Sequence, residues 1–243
     1  MAAGGDDDVK ILGVWSSPFA MRPRIALNLK NVSYKYLEEK SNDKSDLLLE
    51  SNPVHKKVPV MIHNDKPISE SLVILQYIDE AFTSSGPSIL PSDPYERAIA
   101  HFWAAYLDDK WYKALLEVTT KHEVSFDVDE EEKKAVMDAV IEGLGLLEGT
   151  FQEISEGKDF FGGDTIGFLD IVLGSCLGWL RVSEELNECM FLDEEKTPGL
   201  YGWAARFCSH AAVKKVMPRT KKLAEHGFTL RLMRHEYLTW VDN

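Results

Sequence analysis

The sequence predicts a mixed α/β domain followed by an all-α domain, and three observations carry that prediction. Strand and helix signals alternate over the first third of the chain. A break rich in Pro, Gly and Ser spans residues 83–94, and beyond it apolar residues recur only at helical spacing. A chain of 243 residues buries a full core without metal or disulfide support, and its 44 % hydrophobic and 28 % charged content is that of a folded globular protein.

The boundaries drawn from these signals are an acidic tail over residues 1–8, a first domain over 9–82, a linker over 83–94 and a helical domain over 95–243. In the first domain Val9 to Trp15 reads as a strand and Pro18 to Asn31 as a helix. Ser33 to Glu38 alternates as a strand, Asp46 to Glu50 reads as a short helix, and Val58 to His63 reads as a strand before a turn at Asn64 and Asp65. A last strand begins at Ile68. Leu72, Leu75, Ile78 and Phe82 then fall at helical spacing, which gives the order β-α-β-α-β-β-α. Pro23 lies inside the first helix, where a missing amide and a ring clash cost about 3 kcal/mol. A kink there, or a late helix start, is expected.

In the second domain Tyr95 to Leu116 reads as one helix. Glu130 to Ile154 reads as another, with Val136, Val140, Leu144, Leu147, Phe151 and Ile154 on one face. Gly167 to Asp170 reads as a helix start: Gly167 is the N-cap, Asp170 faces the free amides, and Ile166 packs on Ile171. Gly167 and Asp170 are structural residues on this reading.

A net charge of -13 repels a phosphate backbone or an anionic bilayer, so neither nucleic acid nor membrane is an expected partner. The most apolar run, Ile166 to Leu180, contains Asp170 and falls short of the roughly 20 residues a span needs. The start carries no cationic, apolar leader, which points to the cytoplasm. Cys176, Cys189 and Cys208 are odd in number and lack Cys-x-x-Cys spacing, as reduced structural thiols would be.

Several chemical signals fail. His122-Glu123 and His235-Glu236 lack the second His of a zinc helix, so no metal is expected. Gly143-Leu144-Gly145 lies within a helical pattern and is no dinucleotide loop; phosphate-loop and serine-elbow motifs are missing. What remains is Trp15-Ser16-Ser17-Pro18-Phe19, where the first strand meets the first helix. Free amides and the positive dipole end favour an anion such as a thiolate there. Ser17 as a plain helix cap, with Pro18 at the first helical position, fits the same residues. A second constellation runs from Asn52 through His55, Lys56, Lys57, Val58 and Pro59, then Glu70-Ser71 at a helix start. Pro59, cis or at an edge, exposes the Val58 backbone to an extended ligand. Ser71 suits a carboxylate, Glu70 an ammonium and Lys57 another carboxylate. Together they fit a small peptide with both charges.

At these residues the sequence resembles the tau class of plant glutathione transferases. The shared segments are Ser17-Pro18-Phe19, Asn52 to Val60 and Glu70-Ser71, together with Leu90 to Tyr95, Phe161 to Asp164 and Gly167 to Asp170. The likeness runs from about Val9 to Pro218. It implies a thioredoxin-like N-terminal domain, an all-helical C-terminal domain, a homodimer, and glutathione as co-substrate with no further cofactor. By match to the motif, Ser17 rather than Ser16 donates its hydroxyl to the glutathione sulfur. Lys44 and Lys57 meet the glycine carboxylate, Val58 pairs its backbone with the cysteinyl unit beside a cis Pro59, and Glu70 and Ser71 take the γ-glutamyl end. A small apolar electrophile is expected against Trp15, Phe19, Tyr112 and Trp179. The sequence departs from the resemblance at Leu116 and Thr119, which stand where basic or bulky aromatic residues occur, at Pro23, and from Phe228 to Asn243.

The reading that follows is a glutathione transferase acting on xenobiotics or oxidised lipids, with peroxide reduction as a side activity. A non-catalytic carrier of conjugates or aromatic metabolites is the alternative. A thiol oxidoreductase on the same scaffold would need a cysteine near position 17, and all three cysteines lie beyond residue 170.

Overall fold

The computed structural model describes residues 8–40, 43–121 and 130–227. Residues 1–7 of the acidic tail, His122-Glu123, His235-Glu236 and the stretch from Phe228 to Asn243 lie outside the described residues. The chain opens with β1 (Val9–Gly13), α1 (Pro18–Leu29), β2 (Lys35–Glu38), α2 (Asp46–Ser51), β3 (Val60–His63), β4 (Lys66–Ser69) and α3 (Ser71–Ala81). The sheet order is β2-β1-β3-β4, with β1 parallel to β2 and antiparallel to β3, and β4 antiparallel to β3. Alternation along the strands sends Val9, Ile11 and Met61 to the α1 and α3 side. Leu12, Val60 and Ile62 go to the other face, where Leu48 of α2 covers them.

β1 ends at Gly13 rather than Trp15 and β2 starts at Lys35 rather than Ser33, and two further strand starts differ from expectation, each for a backbone reason. β3 starts at Val60 rather than Val58, because Pro59 has no N–H to give the ladder. β4 starts at Lys66 rather than Ile68, because Asn64 and Asp65 both take positive φ (49° and 62°) and close a two-residue turn that pairs His63 directly with Lys66. α1 begins at Pro18 and runs through Pro23, so the late start does not occur.

The second domain comprises α4 (Pro94–Tyr106), α5 (Tyr112–Lys121), α6 (Glu130–Ser155), α7 (Phe168–Gly174), α8 (Leu177–Asn187), α9 (Pro198–Ser209) and α10 (Ala211–Lys214), with residues 220–227 also helical. The single helix expected from Tyr95 to Leu116 is interrupted by a π-helical turn over Leu107–Trp111. Along α6, Val140, Leu144, Leu147 and Phe151 are buried, so the apolar stripe faces the core. No described helix is long and apolar enough to cross a membrane.

Gly167 caps α7, and Asp170 is fully buried beneath it. Its carboxylate accepts the N–H groups of Phe161, Gly162 and Gly167 and the indole N–H of Trp203, at 2.7–2.9 Å. Burial pushes this carboxyl up to about 6, and the four donors hold it ionised at neutral pH. The turn needs two glycines: a Cβ on Gly162 would lie 2.6 Å from the Gly167 nitrogen, and one on Gly167 would lie 2.8 Å from the Gly162 Cα.

The linker is packed rather than loose. Asp79 of α3 accepts from the backbone of Ile89 (2.8 Å) and Leu90 (2.9 Å), and pairs with the buried ammonium of Lys30 at 2.7 Å. The Ile89 carbonyl in turn accepts from Phe168 N–H, the first residue of α7. Burial raises the Asp79 carboxyl, but Lys30 and the two amides outweigh it and hold it below its ordinary range. A depressed carboxyl contributes stability that is full above the unfolded pKa and is lost as pH falls through the lower folded value. Asp79→Asn is therefore expected to destabilise the protein most near neutral pH. The gap from wild type should shrink below about pH 4, as read by denaturant unfolding across that range.

Candidate active site

Where β1 hands over to α1, Ser17 is the N-cap: its Oγ accepts the Ala20 N–H at 3.3 Å, with Pro18 next in the chain. A hydroxyl carries one donor and two acceptor lone pairs, so the cap uses an acceptor and leaves the O–H free to donate. The amide donating into Oγ polarises that O–H at the positive end of the helix. The capping and the anion-stabilising readings are therefore compatible, and one atom can serve both. Ser16 is buried, and its carbonyl accepts the Trp179 indole N–H at 2.8 Å, which fixes the turn from behind.

Behind the junction Arg22 is completely buried on α1. Its guanidinium makes a bidentate pair with Asp108 (2.8 and 2.6 Å) and reaches Ser71 Oγ (3.0 Å), Ser175 Oγ (3.3 Å) and the Val172 carbonyl (3.4 Å). Burial works against this charge, and Asp108 more than offsets it, holding the guanidinium above its ordinary value. The π-helical turn carries Asp108 to this position, so the one irregular turn in the helix supplies the counter-ion. Arg22 also lies 4.7 Å from the centre of the Phe19 ring, and Phe19 meets Tyr112 edge-on at 5.2 Å. Burial raises the Tyr112 phenol, which therefore stays protonated as a donor.

At the start of α3, Glu70 is the N-cap residue at φ 71° and ψ 119°, and Ser71, the first helical residue, is buried. A side chain held at such a positive φ costs on the order of 1–3 kcal/mol, which the surrounding turn must over-determine. Glu70 is exposed, with His55 3.9 Å from its carboxylate. The Val58–Pro59 bond is cis, and the ladder begins only at Val60, beyond Val58. Lys44 and Lys57 are both exposed. Lys44 precedes Ser45, the N-cap of α2, and Ser45 is gripped by the buried carboxylate of Glu39 through its N–H (3.1 Å) and hydroxyl (2.7 Å).

Comparison with known proteins is decisive at this point. Residues 7–80 match the Glutathione S-transferase N-terminal domain and residues 99–211 its C-terminal domain. The Arabidopsis thaliana glutathione S-transferase U17 is 58 % identical over 218 residues, covering 90 % of this chain and 93 % of that one. The chain belongs to the glutathione S-transferase family. Within it, the crystal structure of a tau-class glutathione S-transferase from mango, Mangifera indica, is 59 % identical with a TM-score of 0.87, covering 92 % of this chain and 98 % of that one. Rice GST1 in complex with glutathione is 35 % identical with a TM-score of 0.84, covering 95 % and 99 %. The chain is a tau-class glutathione S-transferase, with the thioredoxin-like and all-helical domains of that family.

Of the residues singled out in the sequence, this transferase fold brings Phe19 and Tyr112 into contact, ties Trp179 to the backbone beside Ser17, and links Ser71 to α1 through Arg22. Trp15 is partly roofed: the ammonium of Lys222 stands 4.1 Å above its ring and the His226 imidazole 5.1 Å away. Sequence reasoning missed Arg22, Asp108, Glu39, Lys222 and His226. The signal for Arg22 was present, since it falls at helical spacing from Pro18, Ile25, Ala26 and Leu29 on the buried face. Among the described residues no cluster suited to a metal ion occurs. Removing one member of a buried ion pair costs about 3–5 kcal/mol. Arg22→Met is expected to lower the unfolding free energy by that order, measured by denaturant titration.

Proposed function

We propose that glutathione lies across the first domain with its sulfur at Ser17, and that the Ser17 hydroxyl stabilises the thiolate that attacks an apolar electrophile. The observation that carries this reading is the capped hydroxyl whose O–H remains unspent at a helix N-terminus. A proton on sulfur competes with a donor and a positive dipole end, so the thiol loses it more readily than in water. Lys44 and Lys57 face the glycine carboxylate, the Val58 backbone pairs with the cysteinyl unit, and Glu70 and Ser71 receive the γ-glutamyl ammonium and carboxylate. Arg22 supports the last of these by donating to Ser71 Oγ.

The electrophile sits against Phe19 and Tyr112, between α1 and α5, with Trp15 and Trp179 beside it. Attack forms a carbon–sulfur bond by substitution or conjugate addition, and holding both substrates in place supplies much of the rate. The same thiolate can attack a peroxide oxygen, breaking the O–O bond to release an alcohol and leave a sulfenic acid, from which a second glutathione displaces water to form the disulfide. Glutathione is a co-substrate here, and the reading calls for no further cofactor. A homodimer is part of the proposal: the outward faces of α3 and α4 expose Val73, Tyr95 and Phe102, apolar surface that a second copy would cover. A cytoplasmic setting suits the three unpaired cysteines.

Two variants of Ser17 separate capping from catalysis. Ser17→Ala is expected to lose about 100-fold in kcat and to return the bound thiol toward about pKa 8.5, read by thiolate absorbance. It should also lose about 1 kcal/mol of stability with the cap. Ser17→Asp keeps a capping oxygen but offers no O–H, so stability should be retained and conjugation should not. Equal, background-level rates for wild type and Ser17→Ala would leave only the carrier reading. Glu39→Gln weakens the grip on Ser45 beside Lys44. It is expected to raise KM for glutathione about two- to tenfold with kcat nearly unchanged, in steady-state assays varying each substrate in turn.

A further inference from the structure

We propose that the electrophile site takes a substrate carrying a carboxylate, whose apolar body lies on Trp15 and whose anionic group is received by Lys222 and His226. This inference rests on the Ser17 reading above and names the substrate class for the same site.

The chain is acidic, at net -13, yet residues 214–222 hold Lys214, Lys215, Arg219, Lys221 and Lys222 with no Asp or Glu among them. The chain then runs as a helix over residues 220–227. Lys222 and His226 are one turn apart on that helix and so share a face. That face meets Trp15: the Lys222 ammonium is 4.1 Å from the ring centre, and the His226 ring is 5.1 Å away at a 52° tilt. Beside them Gly227 packs against Trp179, where an added Cβ would stand 3.3 Å from Cζ3, and Trp179 holds the Ser16 carbonyl. The basic face thereby meets Trp15, two residues before Ser17 in the chain.

An exposed ammonium over an aromatic face is held weakly, by about 0.5–1 kcal/mol, whereas a charge-assisted bond to a carboxylate is stronger. An arriving anion therefore wins Lys222 from Trp15 and leaves the ring face for an apolar group. Burial, and then Lys222 itself, lower the His226 pKa, so the imidazole is neutral near pH 7 and offers a hydrogen bond rather than a second charge. Trp15 stands two residues before Ser17, so the ammonium over its ring belongs to the same strand-to-helix turn as the proposed sulfur site. An aryl or alkenyl ketone with a carboxylate at its far end suits that arrangement. In the reaction the thiolate forms a bond to the β-carbon, the alkene electron pair moves onto the carbonyl oxygen, and water returns a proton to the α-carbon. The carboxylate is unchanged, and no oxidant or reductant is needed.

The test pairs ethacrynic acid with its methyl ester, the same enone with and without the charge. Wild-type kcat/KM for the acid should fall with added salt and that for the ester should not. Lys222→Met should lose about tenfold with the acid and less than about twofold with the ester. Lys222→Arg should keep the preference, and Lys222→Glu should reverse it. Equal losses for acid and ester in Lys222→Met, or none for either, would overturn the proposal while leaving the transferase site intact. Conjugation of neither compound by wild type, beyond the uncatalysed rate, would instead overturn the Ser17 reading on which it rests.

Discussion

Four segments distant in sequence converge on one guanidinium. Arg22 stands on α1 and bonds α3 through Ser71, the π-helical turn through Asp108, and α7 and its C-cap through Val172 and Ser175. Because it is wholly buried, every one of its donors must be satisfied within the protein, and the partners available come from both domains. The orientation of α1 against the helical domain is set by that requirement. So are the direction in which the Ser17 cap points and the floor on which Phe19 and Tyr112 meet. Cys176 lies against the same cation, with its thiol pushed up to about 11 by burial, and it acts as a neutral filler there.

The chemistry at the front of this arrangement is economical in atoms. One hydroxyl closes the first turn of α1 by accepting, and the same hydroxyl is free to donate. The proline beside it has no N–H in need of a partner, and its fixed φ suits the first helical position. On the proposed reading such a serine needs no base, because the proton to be discouraged belongs to the substrate's thiol, and the helix end and the donor would lower the cost of that charge without being consumed.

Much of this was legible in the sequence, and the reasons are local. Order and type of the first seven elements follow from short periodic runs and from turn residues such as Asn64-Asp65. Ser17-Pro18 carries its own cap chemistry, and Gly167 to Asp170 carries the helix start. What escaped depends on distance along the chain. Arg22 and Asp108 are 86 positions apart, and their pairing needs a π turn that a 3.6-residue pattern does not reveal. Attention to Pro23 also hid the neighbour that matters more. Glu39 falls one residue past the strand read as Ser33 to Glu38, and no local pattern shows that its carboxylate binds the next helix cap. Lys222 and His226 escaped because basic residues on a helix are ordinarily solvated, and only the placement of Trp15 gives them a target.

The linker bears on how such chains can be recombined. Residues 83–94 look like a natural seam, but Asp79, paired with Lys30, reaches forward to hold Ile89 and Leu90, and Ile89 holds the start of α7. A chimera cut at the first glycine or proline of that stretch would separate a clamp from what it grips. The inheritable unit is the first domain together with its strap as far as Leu90. Exchange of halves between related transferases, in evolution or in the laboratory, should succeed where the crossover respects that unit and fail where it does not.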